Sequence, residues 1–143
     1  MRERAASALF VSESGRYPLQ LRDNRPDISQ PGCWAFFGGS IEGDETPQAA
    51  LRRELWEELR FEPSAAEYFS EISIAYPTSP PRLHSVMYFL VPIREADTAS
   101  MVLREGRSMR FFIPEELELT PRVDPLGLAV LMLHARPADF YRS

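Results

Sequence analysis

The chain is expected to fold as a mixed α/β or α+β protein, and three observations predict it. Segments of strand character, Ala5–Ser12, Tyr68–Ala75 and Leu83–Ile93, are interleaved with stretches of helical period. Between Thr46 and Leu59 the residues are mostly good helix formers, and Leu51, Leu55 and Leu59 recur at four-residue steps to give an apolar stripe. Asp124–Arg136 repeats a helical pattern, with Leu126, Val130 and Leu133 among its apolar positions.

A length of 143 residues suits one domain over residues 1–143, large enough for a proper core and too short for two ordinary ones. The apolar and aromatic content is that of a soluble globular chain. A formal charge of −5 argues against non-specific binding to nucleic acid or to an anionic membrane. All 16 basic residues are arginine, which excludes covalent lysine chemistry. Cys33 is the single cysteine and cannot close an internal disulfide, which fits a reducing cytoplasm. The opening stretch to Val11 is a short apolar run between Glu3 and Glu13, so it reads as a first strand and not as a signal peptide. The apolar runs near Val86–Ile93 and Leu126–Leu133 fall far short of a membrane span.

Taken in order, Ala5–Ser12 and Tyr17–Arg22 read as a β-hairpin turned at Glu13–Arg16. Asp23–Gly32 is a polar loop with two prolines, and Trp34–Phe37 enters Gly38-Gly39 as a short strand. Thr46 suits an N-cap and Pro47 the first helical position, where its missing N–H is no loss. Tyr76–Arg82 is a proline-rich loop, and Leu83–Ile93 is apolar at most positions, as in a strand covered on both faces. Arg94–Ser100 reads as a charged loop, followed by an aromatic strand ending at Ile113 and a turn at Pro114–Leu117. His84 and His134 lack a triad context and read as structural or surface residues.

The functional signal lies in the first helix. Glu54, Glu57 and Glu58 stand at i, i+3 and i+4, on one face beside the leucine stripe. Like charges repel at that spacing, and the C-terminal half of a helix disfavours anions. A solvated acidic face is one reading of such a pattern. A divalent cation reverses the problem, because hard oxygen ligands on one rigid face suit Mg²⁺ or Mn²⁺.

In its wider context the stretch resembles the Nudix box, G-x5-E-x7-R-E-U-x-E-E-x-G-U, where U is apolar. Gly39, Glu45, Arg53, Glu54, Leu55, Glu57, Glu58 and Phe61 fall in register, and one fixed position departs, Arg60 standing for the last glycine. That glycine normally ends the helix in a left-handed conformation, which Arg adopts at a cost of roughly 1 kcal/mol. Upstream, Trp34, Phe36-Phe37 and Gly38-Gly39 look similar to the family's approach to the box.

The resemblance implies a small Nudix pyrophosphohydrolase with an α/β/α sandwich, a central mixed sheet having the box helix on one side and the C-terminal helix on the other. It implies a metal site of Glu54, Glu57 and Glu58 with help from the Gly38 carbonyl, holding one to three Mg²⁺ ions. Arg53 and Glu45 would pair and orient the ligand glutamates. Glu57 or Glu105, the latter on the later "E-G" step, would take the proton of the attacking water, with Glu95 as fallback. The implied substrate is a small nucleoside diphosphate derivative: a nucleoside triphosphate, a nucleotide sugar such as ADP-ribose or GDP-mannose, or a dinucleoside polyphosphate. Substrate-binding residues stay open; Arg16, Arg22, Arg25, Arg82, Tyr76 and Phe111-Phe112 are the candidates. Homodimers are common in the family, and no residue here marks an interface. Two other readings of such a scaffold are a non-catalytic nucleotide-sensing or protein-binding module and an isomerase-like enzyme. The intact acidic set and the lone Cys33 respectively speak against them.

Overall fold

The structure, a computed structural model, describes residues 2–27, 31–103 and 108–139. Strand β1 (Arg2–Ser12) lies at the centre, because its residues are apolar on both faces. Ala6, Ala8 and Phe10 point one way and Leu9 the other, all but sealed from solvent. A strand buried on both faces needs a partner on each edge and a helix over each face. β1 obtains both. It pairs in parallel with β6 (Arg82–Ile93) along its whole length and antiparallel with β4 (Phe37–Ser40). With β5 (Glu67–Tyr76) on the outer edge of β6, the order is β4-β1-β6-β5, a mixed sheet. A second, antiparallel sheet has the order β3-β2-β7, from β2 (Tyr17–Leu21), β3 (Trp34–Ala35) and β7 (Ser108–Phe112).

The expected hairpin of the first two strands does not form. The turn is present, with Gly15 at φ +76° and the Ser12 N–H donating to the Arg16 carbonyl at 2.9 Å. β4 pairs with β1 at Ala5–Ala8 and β6 along the other edge, while β2 pairs in the other sheet with β3 and β7. The expected Trp34–Phe37 strand is likewise divided, Trp34-Ala35 joining β2 and Phe37 joining β1. The charged loop is a 3₁₀ helix over Glu95–Ser100, and the Pro114 turn is a short helix, α2 (Pro114–Leu119).

Helix α1 (Pro47–Leu59) covers one face of the mixed sheet. Thr46 caps it as expected, its hydroxyl accepting from the Ala49 N–H at 3.1 Å. Leu51, Leu55 and Leu59 are fully buried against Ala6, Ala8, Phe10, Phe37 and Phe89, the small alanines letting the helix come close. Helix α3 (Pro125–Ala135), capped by Asp124, packs Val130 and Leu131 into the opposite core with Leu9, Leu19, Tyr88 and Phe112. The expected arrangement of helices on both sides of a mixed sheet is therefore present. Among the described residues no helix is long and apolar enough to cross a membrane.

Arg60 ends α1 in the left-handed conformation at φ 53°, ψ 38°. Its side chain offsets part of the strain: Nη1 donates to the Trp56 carbonyl at 3.0 Å and the guanidinium lies over the Trp56 ring at 5.4 Å. The helix stop is thus kept without the glycine.

Because Leu55 is fully buried in the centre of the α1 stripe, Leu55→Ala should lower stability by about 2–5 kcal/mol, read as a drop in urea midpoint at constant slope.

Candidate active site

The site begins with a glycine pair that brings three elements together. Gly38 has φ +150°, and a Cβ there would stand 2.2 Å from the Ala6 carbonyl oxygen of β1. A Cβ on Gly39 would stand 2.4 Å from Cδ of Glu54. Glycine is therefore required at position 38, where the obstacle is backbone, while at position 39 a side chain would push the Glu54 carboxylate aside.

Arg53 organises the acidic residues. Its Nε donates to Glu45 Oε2 at 2.7 Å and its Nη2 to Glu45 Oε1 at 2.9 Å, a bidentate pair. Nη2 also donates to the Ser40 carbonyl at 2.9 Å, and Nη1 reaches Glu54 at 2.9 Å and Glu57 at 3.4 Å. Glu45 in turn accepts from the Glu42 N–H at 2.9 Å. The sequence expectation that Arg53 and Glu45 pair is met. The Arg53 hydrogen bonds hold the Glu45 carboxyl down at about 2, against a usual 4.5, and Glu45 holds Arg53 well above its ordinary range.

Glu54 is mostly covered, its side chain 16% exposed, while Glu57 is 55% exposed and open to water. Glu58 is half-buried one turn beyond Glu54. Among the described residues no three carboxylates, imidazoles or thiolates converge tightly enough to hold a metal ion as they stand. The donor set nevertheless fits Mg²⁺ or Mn²⁺: hard carboxylate oxygens along one helix face, with Glu54 seated in the space that a Cβ on Gly39 would fill.

Glu105 lies outside the described residues. Glu95, its fallback, is placed elsewhere: it accepts from Ser12 at 2.9 Å and from Ser14, at the far end of β1. There it staples the β1–β2 turn to the 3₁₀ helix, and β1 extends seven residues from Ala5, opposite Ser40, to Ser12. In this structure it is held by the two serines and not by Arg53.

The other side of the glycine pair opens into a cleft of about 630 Å³, with Gly38, Gly39 and Ser40 on its floor. Of the candidate substrate residues, Arg22, Tyr76 and Arg82 line it, whereas Arg16 sits in the distant turn and Arg25 pairs with Asp27 at 2.8 Å. Phe112 is fully buried edge-on to Trp34 and serves packing. His134 is structural as expected, bonded through Nδ1 to the Tyr17 hydroxyl at 2.8 Å. Residues that sequence reasoning missed also line the cleft: Glu3, His84, Tyr88 and Asp124. Asp124 gave a signal only as a helix cap, and both its oxygens accept from N–H groups of α3. Burial, with help from Asp124, raises the Tyr88 phenol well above its ordinary range.

Two outcomes are expected. Glu45 has a folded value below its unfolded one, so its contribution is complete above about pH 4.5 and is lost as pH falls through about 2. Denaturant midpoints of the wild type should fall across that window, and those of Glu45→Gln should start lower at pH 7 and fall less. Gly39→Ala should displace Glu54 and reduce any metal-dependent turnover by at least tenfold, with the far-ultraviolet spectrum unchanged.

The NUDIX domain profile matches residues 1–131. The chain is 32% identical over 136 residues to the CTP pyrophosphohydrolase of Escherichia coli K12, covering 92% of this chain and 95% of that one. It is 33% identical over 86 residues, 60% of each protein, to the 8-oxo-dGTP diphosphatase of Haemophilus influenzae. The solution structure of the E. coli ORF135 protein aligns with a TM-score of 0.70 at 28% identity, over 96% of this chain and 95% of that one. The MutT protein from Methanosarcina mazei Go1 aligns with a TM-score of 0.78 at 16% identity, over 95% and 94%, and so shares the fold. With the box in register on α1 and a profile match over most of its length, the chain belongs to the Nudix hydrolase family, hydrolases acting on phosphorus anhydrides.

Proposed function

We infer that the protein hydrolyses the pyrophosphate bond of a nucleoside triphosphate with the help of Mg²⁺ or Mn²⁺. One observation carries this reading: the glycine pair that backs Glu54 also floors a cleft of about 630 Å³, of a size for one nucleotide. Diphosphate bound at the glycines would lie beside the acidic helix, with the nucleoside extending along the cleft. The likeness to a CTP pyrophosphohydrolase over nearly the whole of both chains favours a triphosphate over a nucleotide sugar.

Glu54, Glu57 and Glu58 would hold the metal, assisted by the Gly38 carbonyl. When bound, the divalent ion supplies neutralisation of the phosphate charge and polarisation of the attacked phosphorus. The chain's own residues do the rest. Arg53, tied to Glu45 and to the Ser40 carbonyl, fixes the glutamates along the helix face and keeps the loop from drifting. A glutamate not fully engaged with the metal would take the proton of the attacking water, and Glu57, open to water, is placed for it. The new P–O bond forms as the anhydride P–O bond breaks, and the departing phosphate carries the electron pair. Glu105, outside the described residues, is the other candidate for this proton.

The test is nucleoside monophosphate formation, separated by chromatography, from a panel of nucleoside triphosphates and nucleotide sugars with Mg²⁺, beside Glu57→Gln. A triphosphate should stand well above the sugars, and the substitution should lower kcat by at least about 100-fold. No turnover of any compound, with tight nucleotide binding, would replace this reading with a nucleotide sensor.

A further inference from the structure

The cleft has two ends, and the strand register assigns a different chemistry to each. The glycines occupy the β4 edge, opposite Ala6 and Ser7 of β1. Farther toward the start of β1, Glu3 lies opposite His84 of β6, and at the start of β6 Arg82 lies opposite Tyr76 of β5. Four residues from three strands thus form a ledge at the end of the cleft away from the phosphate-side glycines.

The ledge is tied together. Arg82 Nη2 donates to Glu3 Oε1 at 2.6 Å, His84 Nδ1 stands 3.4 Å from Glu3 Oε2, and the guanidinium lies over the Tyr76 ring at 5.7 Å. The hydrogen bond from Arg82 keeps the Glu3 carboxyl below its usual range. Among the described residues the other guanidinium nitrogens of Arg82, Nε and Nη1, donate to nothing, although the side chain lines the cleft.

An exposed ion pair of this kind adds little to stability, because side-chain ordering and solvent screening offset its attraction. Its effect here is on geometry: a long arginine is fixed in one direction with donors to spare. Charge also narrows the ligand. Arg82 and Glu3 cancel, so this end presents hydrogen-bond donors without net positive charge. That suits a neutral ring carrying carbonyl acceptors better than it suits another phosphate.

Resting on the nucleotide reading above, we propose that Glu3 is a positioning residue for nucleobase recognition: it holds Arg82 on Tyr76 so that the guanidinium donates to a base carbonyl. Arg82 touches the base, and Glu3 acts through Arg82.

The test combines turnover with binding, using CTP, GTP and inorganic triphosphate as probes on the intact protein. Glu3→Ala should raise KM for the preferred nucleotide about tenfold more than it lowers kcat. Glu3→Gln, which keeps the length and a carbonyl acceptor, should recover part of the loss. The double variant Glu3→Ala/Arg82→Ala should be no weaker than Arg82→Ala alone, since one acts through the other. Titration calorimetry should show weaker nucleotide binding and unchanged binding of inorganic triphosphate. Additive losses, an equal loss for inorganic triphosphate, or a fall in kcat at constant KM would each overturn the proposal. If the wild type binds nucleotides without hydrolysing them, the function reading fails, and the calorimetric comparison still decides the role of Glu3.

Discussion

The guanidinium of Arg53 is the contact on which the rest of the site depends. Three glutamates on one face in the second half of a helix oppose both one another and the helix dipole. Arg53 meets two of these and reaches across to Glu45 and the Ser40 carbonyl. A lysine could supply the charge but not five donors in a fixed plane, and so could not hold loop and helix in register together. Its neighbour Glu45 would be an ordinary surface carboxylate without it. With it, Glu45 is a fixed strut, bonded at both oxygens and charged far into acid.

That network needs a firm support, which the sheet provides. Phe37 of β4 is locked into the same core as Leu51, Leu55 and Leu59, so strand and helix cannot move independently. Gly38 then follows in a backbone too close to β1 to accept a side chain, and Gly39 abuts the Glu54 carboxylate, which a side chain there would displace. The burial of three leucines at roughly 1.5–3 kcal/mol each thereby supports the placement of a few exposed carboxylates.

What could be read in the sequence was what depends on neighbours along the chain. The Glu45–Arg53 pair, the Thr46 cap and the leucine stripe all arise within one helix and its entry loop, where spacing alone fixes geometry. Leu83–Ile93 was legible for a similar reason, since an apolar residue at most positions implies cover on both faces. The hairpin expectation failed because a short turn between two strands says nothing about which edges are free. β1 pairs with β4 and β6, and β2 with β3 and β7. The cleft wall was hidden by the same fact: Glu3 and His84 are neighbours only through a parallel register between segments some eighty residues apart. The partners of Glu95 were hidden too, because a loop glutamate can be claimed by any nearby hydroxyl, here Ser12 and Ser14.

This division has a physical consequence for how such a chain can change. The acidic helix is held by charge-assisted bonds that share one arginine, so removing any member disturbs the others, and substitution there is strongly coupled. The ledge is held by exposed pairs across strands, each weak and each replaceable without moving the backbone ladder beneath it. Sheet register delivers the side chains of β1, β5 and β6 to the same ledge whatever those side chains are. Chemistry is therefore tied to a local motif that tolerates little, while the ledge proposed for selectivity rests on positions that tolerate much.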